Sequence, residues 1–138
     1  MTTADARDFI AETGIAEQSH CYAFRLDNKK QESIGCYPLK RNGSVHIPIG
    51  GMKNASYGVF PASFLVHWTK KTGESEKAAT NLLQALIKVR DMEINGFRIK
   101  FLQMLTADAQ YVGTDETGVH EWVIEALIFY ERKGQENG

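Results

Sequence analysis

One stretch of this chain, residues 111–130, constrains the fold more than any other. From residue 122 onward the even positions are all apolar or aromatic: Trp122, Ile124, Ala126, Ile128 and Tyr130. The odd positions change from polar at Glu121 to apolar at Leu127 and Phe129. Alternation with a period of two is typical of a strand with one buried face, and the apolar end predicts a strand that finishes covered on both faces. Strands usually have about five or six residues, so a strand over residues 119–130 is expected at the centre of a sheet.

The residues just before this strand have the chemistry of a turn. Residues 113–118 read Gly-Thr-Asp-Glu-Thr-Gly. The two glycines tolerate positive φ, and the short polar side chains between them can bond their own backbone. The sequence therefore predicts a polar turn that leads into the longest strand.

The other elements predict an α+β fold in a single domain over residues 1–138. A short helix is predicted over residues 4–13, capped by Thr2 or Thr3, and a long amphipathic helix over residues 74–90. Strands are predicted at 20–26, 32–39, 45–49, 64–68, 92–94 and 97–105, with the first two paired as a hairpin. Asn95-Gly96 fits either a tight hairpin or a turn within one long strand. We expect a mostly antiparallel or mixed sheet with both helices on one face, and a disordered tail over residues 133–138.

The segment Gly50–Pro61 has little periodicity and is predicted to be a long loop. Its large apolar side chains are isolated among glycines and small polar residues: Met52, Tyr57, Val59 and Phe60. Loops of this length are at the long end for a compact domain and are often functional. Two interpretations stay open, namely a wide connection between strands and an arm that holds a neighbouring subunit.

Composition excludes several classes of function. The formal net charge is −1, so no basic face for nucleic acid is expected. The N-terminus lacks the features of a signal peptide, and no apolar run approaches the length of a membrane span, which predicts a cytoplasmic protein. Cys21 and Cys36 lie in neighbouring predicted strands and could face each other, but two thiols in an otherwise ordinary chain are expected to be reduced core residues. Neither lies in a C-x-x-C pair, so metal binding is less favoured still.

No pattern in the sequence predicts an active site or a cofactor. The histidines 20, 46, 67 and 120 are widely separated, so a metal site is not indicated. Phosphate-binding glycine loops and a G-x-S-x-G elbow are absent from the sequence. Carboxylates are concentrated in the C-terminal third: Asp108, Asp115, Glu116, Glu121 and Glu125. A solvated face or a subunit contact explains them most simply, and a divalent cation that bridges subunits is the open alternative.

Parts of the sequence resemble the minor capsid proteins of tailed phages and prophages of Gram-positive bacteria. The resemblance rests on His67-Trp-Thr-Lys-Lys-Thr-Gly-Glu-Ser-Glu-Lys-Ala-Ala, on the helix through Leu83 and Leu86, and on the unit from Tyr111 to Glu125 with its Gly-Thr-Asp-Glu-Thr-Gly-Val-His-Glu pattern. It covers residues 64–130. The resemblance implies a structural virion protein of the head–tail junction, without catalytic residues. The size and element order also look like those of tail terminator proteins, which form a ring that caps the tail tube and faces the head connector.

A ring implies specific partners and contact residues. The resemblance implies a homo-oligomer, with a hexamer as the candidate, that binds the phage tail tube and the head–tail connector in the virion after assembly in the bacterial host cytoplasm. In a ring each subunit uses two different surfaces. The candidate interface residues are Met52, Tyr57, Phe60, Asp115 and Glu116. The rival hypotheses are a small enzyme that uses the C-terminal carboxylates, which a cleft joining them to a histidine would favour, and a ligand-binding domain with a deep apolar pocket.

Overall fold

The computed structural model describes residues 1–40 and 57–132. The predicted strand at 45–49, the candidate contact Met52 and the predicted tail at 133–138 lie outside the described residues. The elements run in the order α1 (Thr3–Glu12), β1 (Cys21–Ala23), β2 (Ser33–Pro38), β3 (Tyr57–His67), α2 (Thr72–Ile87), β4 (Met92–Ile94), β5 (Phe97–Met104), β6 (Gln110–Thr114) and β7 (His120–Arg132), with a short 3₁₀ turn at Gln18–His20. This arrangement confirms the predicted α+β class.

The longest strand, β7, lies in the middle of the sheet, as its length predicts. The strand order is β1-β2-β3-β7-β5-β4, and β6 pairs with β7 beyond the end of β5. On one edge β7 pairs with β3 along its whole length, from Tyr57 opposite Glu131 to His67 opposite Glu121. Strand β7 therefore fixes the position of every element around it.

Helices α1 and α2 cover the face of the sheet to which the even residues of β7 belong. Ile124, Ala126 and Ile128 are fully buried there. The odd residues Leu127 and Phe129 are only half-buried. The expectation that β7 ends covered on both faces is therefore wrong, because both helices pack on the even side. We call the other side, defined by the odd residues of β3 and β7, the open face.

Each helix begins and packs as its sequence indicates. The side chain of Thr2 accepts from the N–H of Asp5 and the Asp5 carboxylate accepts from the N–H of Thr2, which together form a capping box for α1. The apolar stripes of the two helices enter one core: Ala6, Phe9 and Ile10 from α1, and Ala78, Leu82, Leu83 and Leu86 from α2. Helix α2 ends at Ile87, earlier than the predicted residue 90, and Ile87 is 41% exposed.

Two local features differ from the sequence predictions, and a third decides between two predicted alternatives. Strands β1 and β2 pair in parallel instead of forming a hairpin, because Phe24, with a φ of 71°, turns the chain away directly after β1. Strand β3 begins at Tyr57, so residues 57–61 belong to a strand and not to the predicted loop. Asn95 and Gly96 form a tight hairpin with φ values of 50° and 83°, which confirms one of the two alternatives for β4 and β5.

No helix in the described part of the chain has both the length and the apolar character needed to cross a membrane.

Candidate functional site: the β6–β7 hairpin

The segment with the most distinctive sequence folds into a hairpin that closes one end of the sheet. We call residues 110–123 the β6–β7 hairpin. Tyr111 pairs with Trp122 and Gly113 with Glu121, and the register shifts at Val112 in between. The predicted turn is shorter than expected, since Gly113 and Thr114 still belong to β6. The chain reverses over Asp115–Gly118, where the N–H of Gly118 donates to the carbonyl of Asp115 at 3.1 Å.

The side chain of Asp115 closes this turn through hydrogen bonds to residues of the turn itself. Oδ1 of Asp115 accepts hydrogen bonds from the N–H of Thr117 at 2.8 Å, the hydroxyl of Thr117 at 2.8 Å and the N–H of Val119 at 3.0 Å. Partial burial raises the pKa of Asp115, but these hydrogen bonds and the nearby His67 outweigh it, so the pKa is lowered. Asp115 is therefore an ionised carboxylate that acts as the internal brace of the turn.

On the open face, the hairpin is joined to β3 by a buried histidine. His67 is fully buried at the end of β3, and its Nδ1 lies 2.8 Å from Oε2 of Glu121. Because a carboxylate only accepts hydrogen bonds, Nδ1 is the donor. On the other side of the ring, Nε2 lies 3.7 Å from Oδ2 of Asp115 and makes no hydrogen bond. One imidazole thus lies between the carboxylates of Asp115 and Glu121.

On the helix face, a second histidine joins the hairpin to α2. The hydroxyl of Tyr111 lies 2.8 Å from Nδ1 of His120, and Nε2 of His120 lies 3.2 Å from the hydroxyl of Thr72. Beside this chain of contacts, the rings of Tyr111 and Trp122 pack with centroids 4.9 Å apart. The hairpin is therefore fastened to the domain on both faces of the sheet.

The outer edge of the hairpin is exposed and carries apolar side chains. Within the described residues β6 pairs with β7 alone, so its other edge carries no neighbouring strand. Tyr111 is 50% exposed, Val112 is 58% exposed, and Glu116 is exposed at the tip of the turn. Unpaired strand edges and exposed apolar side chains favour association with another chain.

A second exposed apolar surface lies on the open face. Phe101 of β5 stacks on Phe129 of β7 with ring centroids 4.7 Å apart and an angle of 9° between the rings. Phe101 is 41% exposed, and Leu127 beside Phe129 is half-buried. Neither described helix packs on this face, so these side chains form an apolar surface distinct from the hairpin edge.

The structure brings together groups that the sequence did not connect. Two of the C-terminal carboxylates, Asp115 and Glu121, both approach His67, which the interpretation as a solvated face did not anticipate. A cleft that joins these carboxylates to a histidine would favour the enzyme hypothesis. However, Nε2 of His67 is buried and faces Asp115, so it does not reach a substrate from solvent. The arrangement fits a structural tie between strands.

Metal binding receives no support from the described side chains. Within residues 1–40 and 57–132, no group of three or more His, Cys, Asp or Glu side chains is placed to hold a metal ion. Cys21 and Cys36 are buried free thiols, as the sequence predicts. Burial raises the pKa of Cys21 to about 11 and that of Cys36 further, so neither thiol is activated as a nucleophile.

The candidate interface residues lie in different parts of the molecule. Glu116 is exposed and Asp115 is half-buried at the tip of the hairpin. Phe60 is a half-buried residue of β3 that packs against the core of its own subunit, which removes it from an arm. Tyr57 is the first residue of β3, and Met52 lies outside the described residues. Sequence reasoning missed His67, His120, Tyr111 and Val112, although Tyr111 and His120 belong to the stretch that resembles the phage proteins.

Comparisons with known proteins found a likeness among solved structures. No family model matches the chain, and no curated protein matches it. Among solved structures, the chain is similar to a chain of a particle described as "Virion of native gene transfer agent (GTA) particle". The two are 14% identical with a TM-score of 0.48, and the match covers 94% of this chain and 89% of that chain. The matched structure is a virion particle, and a likeness at this level assigns no function to the present chain.

Proposed function

We propose that this chain is a structural protein of a tailed-phage or prophage virion that acts at the head–tail junction as a ring-forming tail terminator or minor capsid protein. One observation carries the proposal. The unit from Gly113 to Glu121, on which the sequence resemblance rests, folds as a self-braced hairpin whose outer edge has no strand partner among the described residues. Its proposed place is the virion, after assembly in the host cytoplasm.

The outer edge of the hairpin is suited to contact a second subunit. The bulge-like register shift at Val112 interrupts the regular edge of β6, and the exposed Tyr111 and Val112 add apolar area beside it. A bulge limits indiscriminate pairing between edges while leaving a surface of defined shape. We therefore place one side of the subunit contact at Tyr111, Val112, Asp115 and Glu116.

A closed ring needs a second, different surface on each subunit. The apolar surface around Phe101, Leu127 and Phe129 is our candidate for it, because it is separate from the hairpin edge and uncovered by either helix. Met52 and Tyr57 remain proposed contacts, whereas Phe60 is left out because it packs on its own core. The tail tube and the head–tail connector are the proposed partners of the assembled ring.

The proposal is tested by sedimentation of the purified chain over a wide concentration range, combined with negative-stain electron microscopy. A discrete ring-shaped oligomer, with six subunits as the expected number, supports the proposal. Tail terminators can assemble only on the tail, so the same chain is also incubated with purified tail tubes and imaged. A chain that is monomeric at every concentration and leaves the tube ends bare would overturn the proposal.

A further inference from the structure

The environment of His67 contains more negative charge than a neutral imidazole can satisfy. Nδ1 donates to Glu121 at 2.8 Å, and Nε2 faces Oδ2 of Asp115 at 3.7 Å without a hydrogen bond. In the neutral ring, Nε2 would direct its lone pair at an oxygen of an ionised carboxylate. In the imidazolium, the same atom would direct an N–H at that oxygen.

The described groups around His67 supply no second cation to the carboxylates of Asp115 and Glu121. Among the described residues, His67 is the only basic group within ion-pair distance of Asp115 or Glu121. From β2, Tyr37 is a neutral neighbour of Glu121 whose pKa is raised by burial and then by the charge of Glu121. Ser33 lies opposite His67 in register, but its hydroxyl donates to the carbonyls of Lys30 and Gln31. Lys70 and Lys71, which follow β3, are exposed.

The two oxygens of Asp115 have separate contacts, which makes the arrangement a latch. Oδ1 holds the turn closed through Thr117 and Val119, and Oδ2 faces the imidazole. An attraction between Nε2–H and Oδ2 therefore ties the whole turn to β3. The tie spans β3, the turn and β7, because Glu121 holds the other side of the ring.

We propose that His67 is held as an imidazolium in the folded subunit, that it latches the Asp115–Gly118 turn to the sheet, and that loss of its proton loosens the turn. The stabilisation requires the proton on Nε2, because only the imidazolium presents an N–H to Oδ2 of Asp115. The exposed tip with Glu116 is then best ordered while His67 keeps this proton. Control of subunit assembly by this latch rests on the proposed function, whereas the latch itself is a property of the single subunit.

The protonation state of His67 is measured directly by side-chain ¹⁵N NMR of the wild-type chain with labelled histidine at about pH 7.5. The expected result is two protonated ring nitrogens for His67, assigned with a His67→Gln variant. In Asp115→Asn, the side-chain oxygen still accepts in the turn while the charge facing Nε2 is removed, so His67 is expected to be neutral at the same pH. A neutral wild-type His67 with an unprotonated Nε2 would overturn the proposal, as would an Asp115→Asn variant in which His67 keeps both protons.

The order of the turn is measured separately by hydrogen exchange of the Val119 and Thr117 amides, corrected for the intrinsic effect of pH. Protection is expected to fall by roughly tenfold between about pH 6 and pH 9 in the wild type, since losing a contact to a charged group changes a local opening equilibrium by at least about that factor. Protection that is independent of pH would contradict the latch. These measurements use the single subunit, so a chain that has the latch but forms no ring would overturn the proposed function alone.

Discussion

The indole Nε1 of Trp122 donates a hydrogen bond of 3.2 Å to the hydroxyl of Ser75, which joins the central strand β7 to helix α2. Ser75 is fully buried, and its hydroxyl in turn donates to the carbonyl of Thr72 at 2.8 Å. Thr72 also contacts His120 through its side chain. The base of the β6–β7 hairpin is therefore connected to the first turn of α2 through a short polar path.

Replacing Ser75 by alanine is expected to lower the free energy of unfolding by about 1–3 kcal/mol, because the Nε1–H of Trp122 loses its partner in a partly buried site. Urea denaturation followed by far-UV circular dichroism measures the change. Trp122→Phe removes the donor itself, so the effect of Ser75→Ala is expected to be smaller in that background. Strictly additive losses in the double variant would contradict an interaction between the two side chains. Thr80→Ala, at an exposed position of α2, serves as the control.

The brace at Asp115 predicts a dependence of stability on acid pH. The pKa of Asp115 in the folded chain lies below the ordinary value of 3.8, and the unfolded chain takes up the proton first as the pH falls. Its contribution is therefore present above about pH 4 and is lost as the pH falls through the folded pKa. Asp115→Asn should be less stable than the wild type between about pH 5 and pH 6, and the difference should narrow below about pH 4.

Urea midpoints measured across that range test this expectation. Asp108→Asn is the matched control, because Asp108 is an exposed aspartate of the same segment whose backbone carbonyl, not its carboxylate, accepts the hydrogen bonds from Thr106 and Gln110. The control should follow the wild type at every pH. A stability difference for Asp115→Asn that stays constant down to the lowest pH would show that the charge of Asp115 does not stabilise the fold.

Because Cys21 and Cys36 are buried, we expect them to react slowly with thiol reagents in the native chain. Burial raises the pKa of Cys21 from 9.0 to about 11, which lowers the reactive thiolate fraction on the order of a hundredfold at about pH 8. Reaction with a chromogenic disulfide reagent should therefore be at least that much slower in the native chain than in urea. Both thiols should then react together on unfolding. Rapid labelling of either cysteine in the native chain would place it outside the core.

Features with a local cause could be predicted from the sequence. The alternation in residues 122–130 identified the central strand, and the Thr2 cap and the Asn95-Gly96 turn appear as expected. The parallel pairing of β1 with β2 could not be predicted, because it depends on the positive φ of Phe24, a residue type that gives no signal for it. The sequence did not predict that β3 begins at Tyr57, because Gly58 and Pro61 are residue types that usually weaken a strand.

The polar contacts of the candidate site depend on register across the sheet. His67 and Glu121 are 54 positions apart, and they meet only because β3 and β7 pair with these two residues opposite each other. Alternation shows that a residue lies on one face, but it does not show which residue of another strand it will face. For the same reason the contact between His120 and Thr72 had no signal in the sequence. The turn of Asp115 was predictable because its bonds are local.

The central claim is that the outer edge of the β6–β7 hairpin joins one subunit to the next. Val112 is 58% exposed on that edge, so Val112→Asp should leave the fold intact and add a charge where the neighbour is proposed to bind. Glu76→Lys, at an exposed position of α2, changes surface charge away from the hairpin and serves as the matched control.

Sedimentation velocity at high protein concentration, with each variant beside the wild type, tests the claim most directly. The wild type and Glu76→Lys are predicted to form the same discrete oligomer, while Val112→Asp is predicted to remain monomeric with an unchanged circular dichroism spectrum. A Val112→Asp chain that forms the same oligomer as the wild type at the same concentrations would contradict the claim.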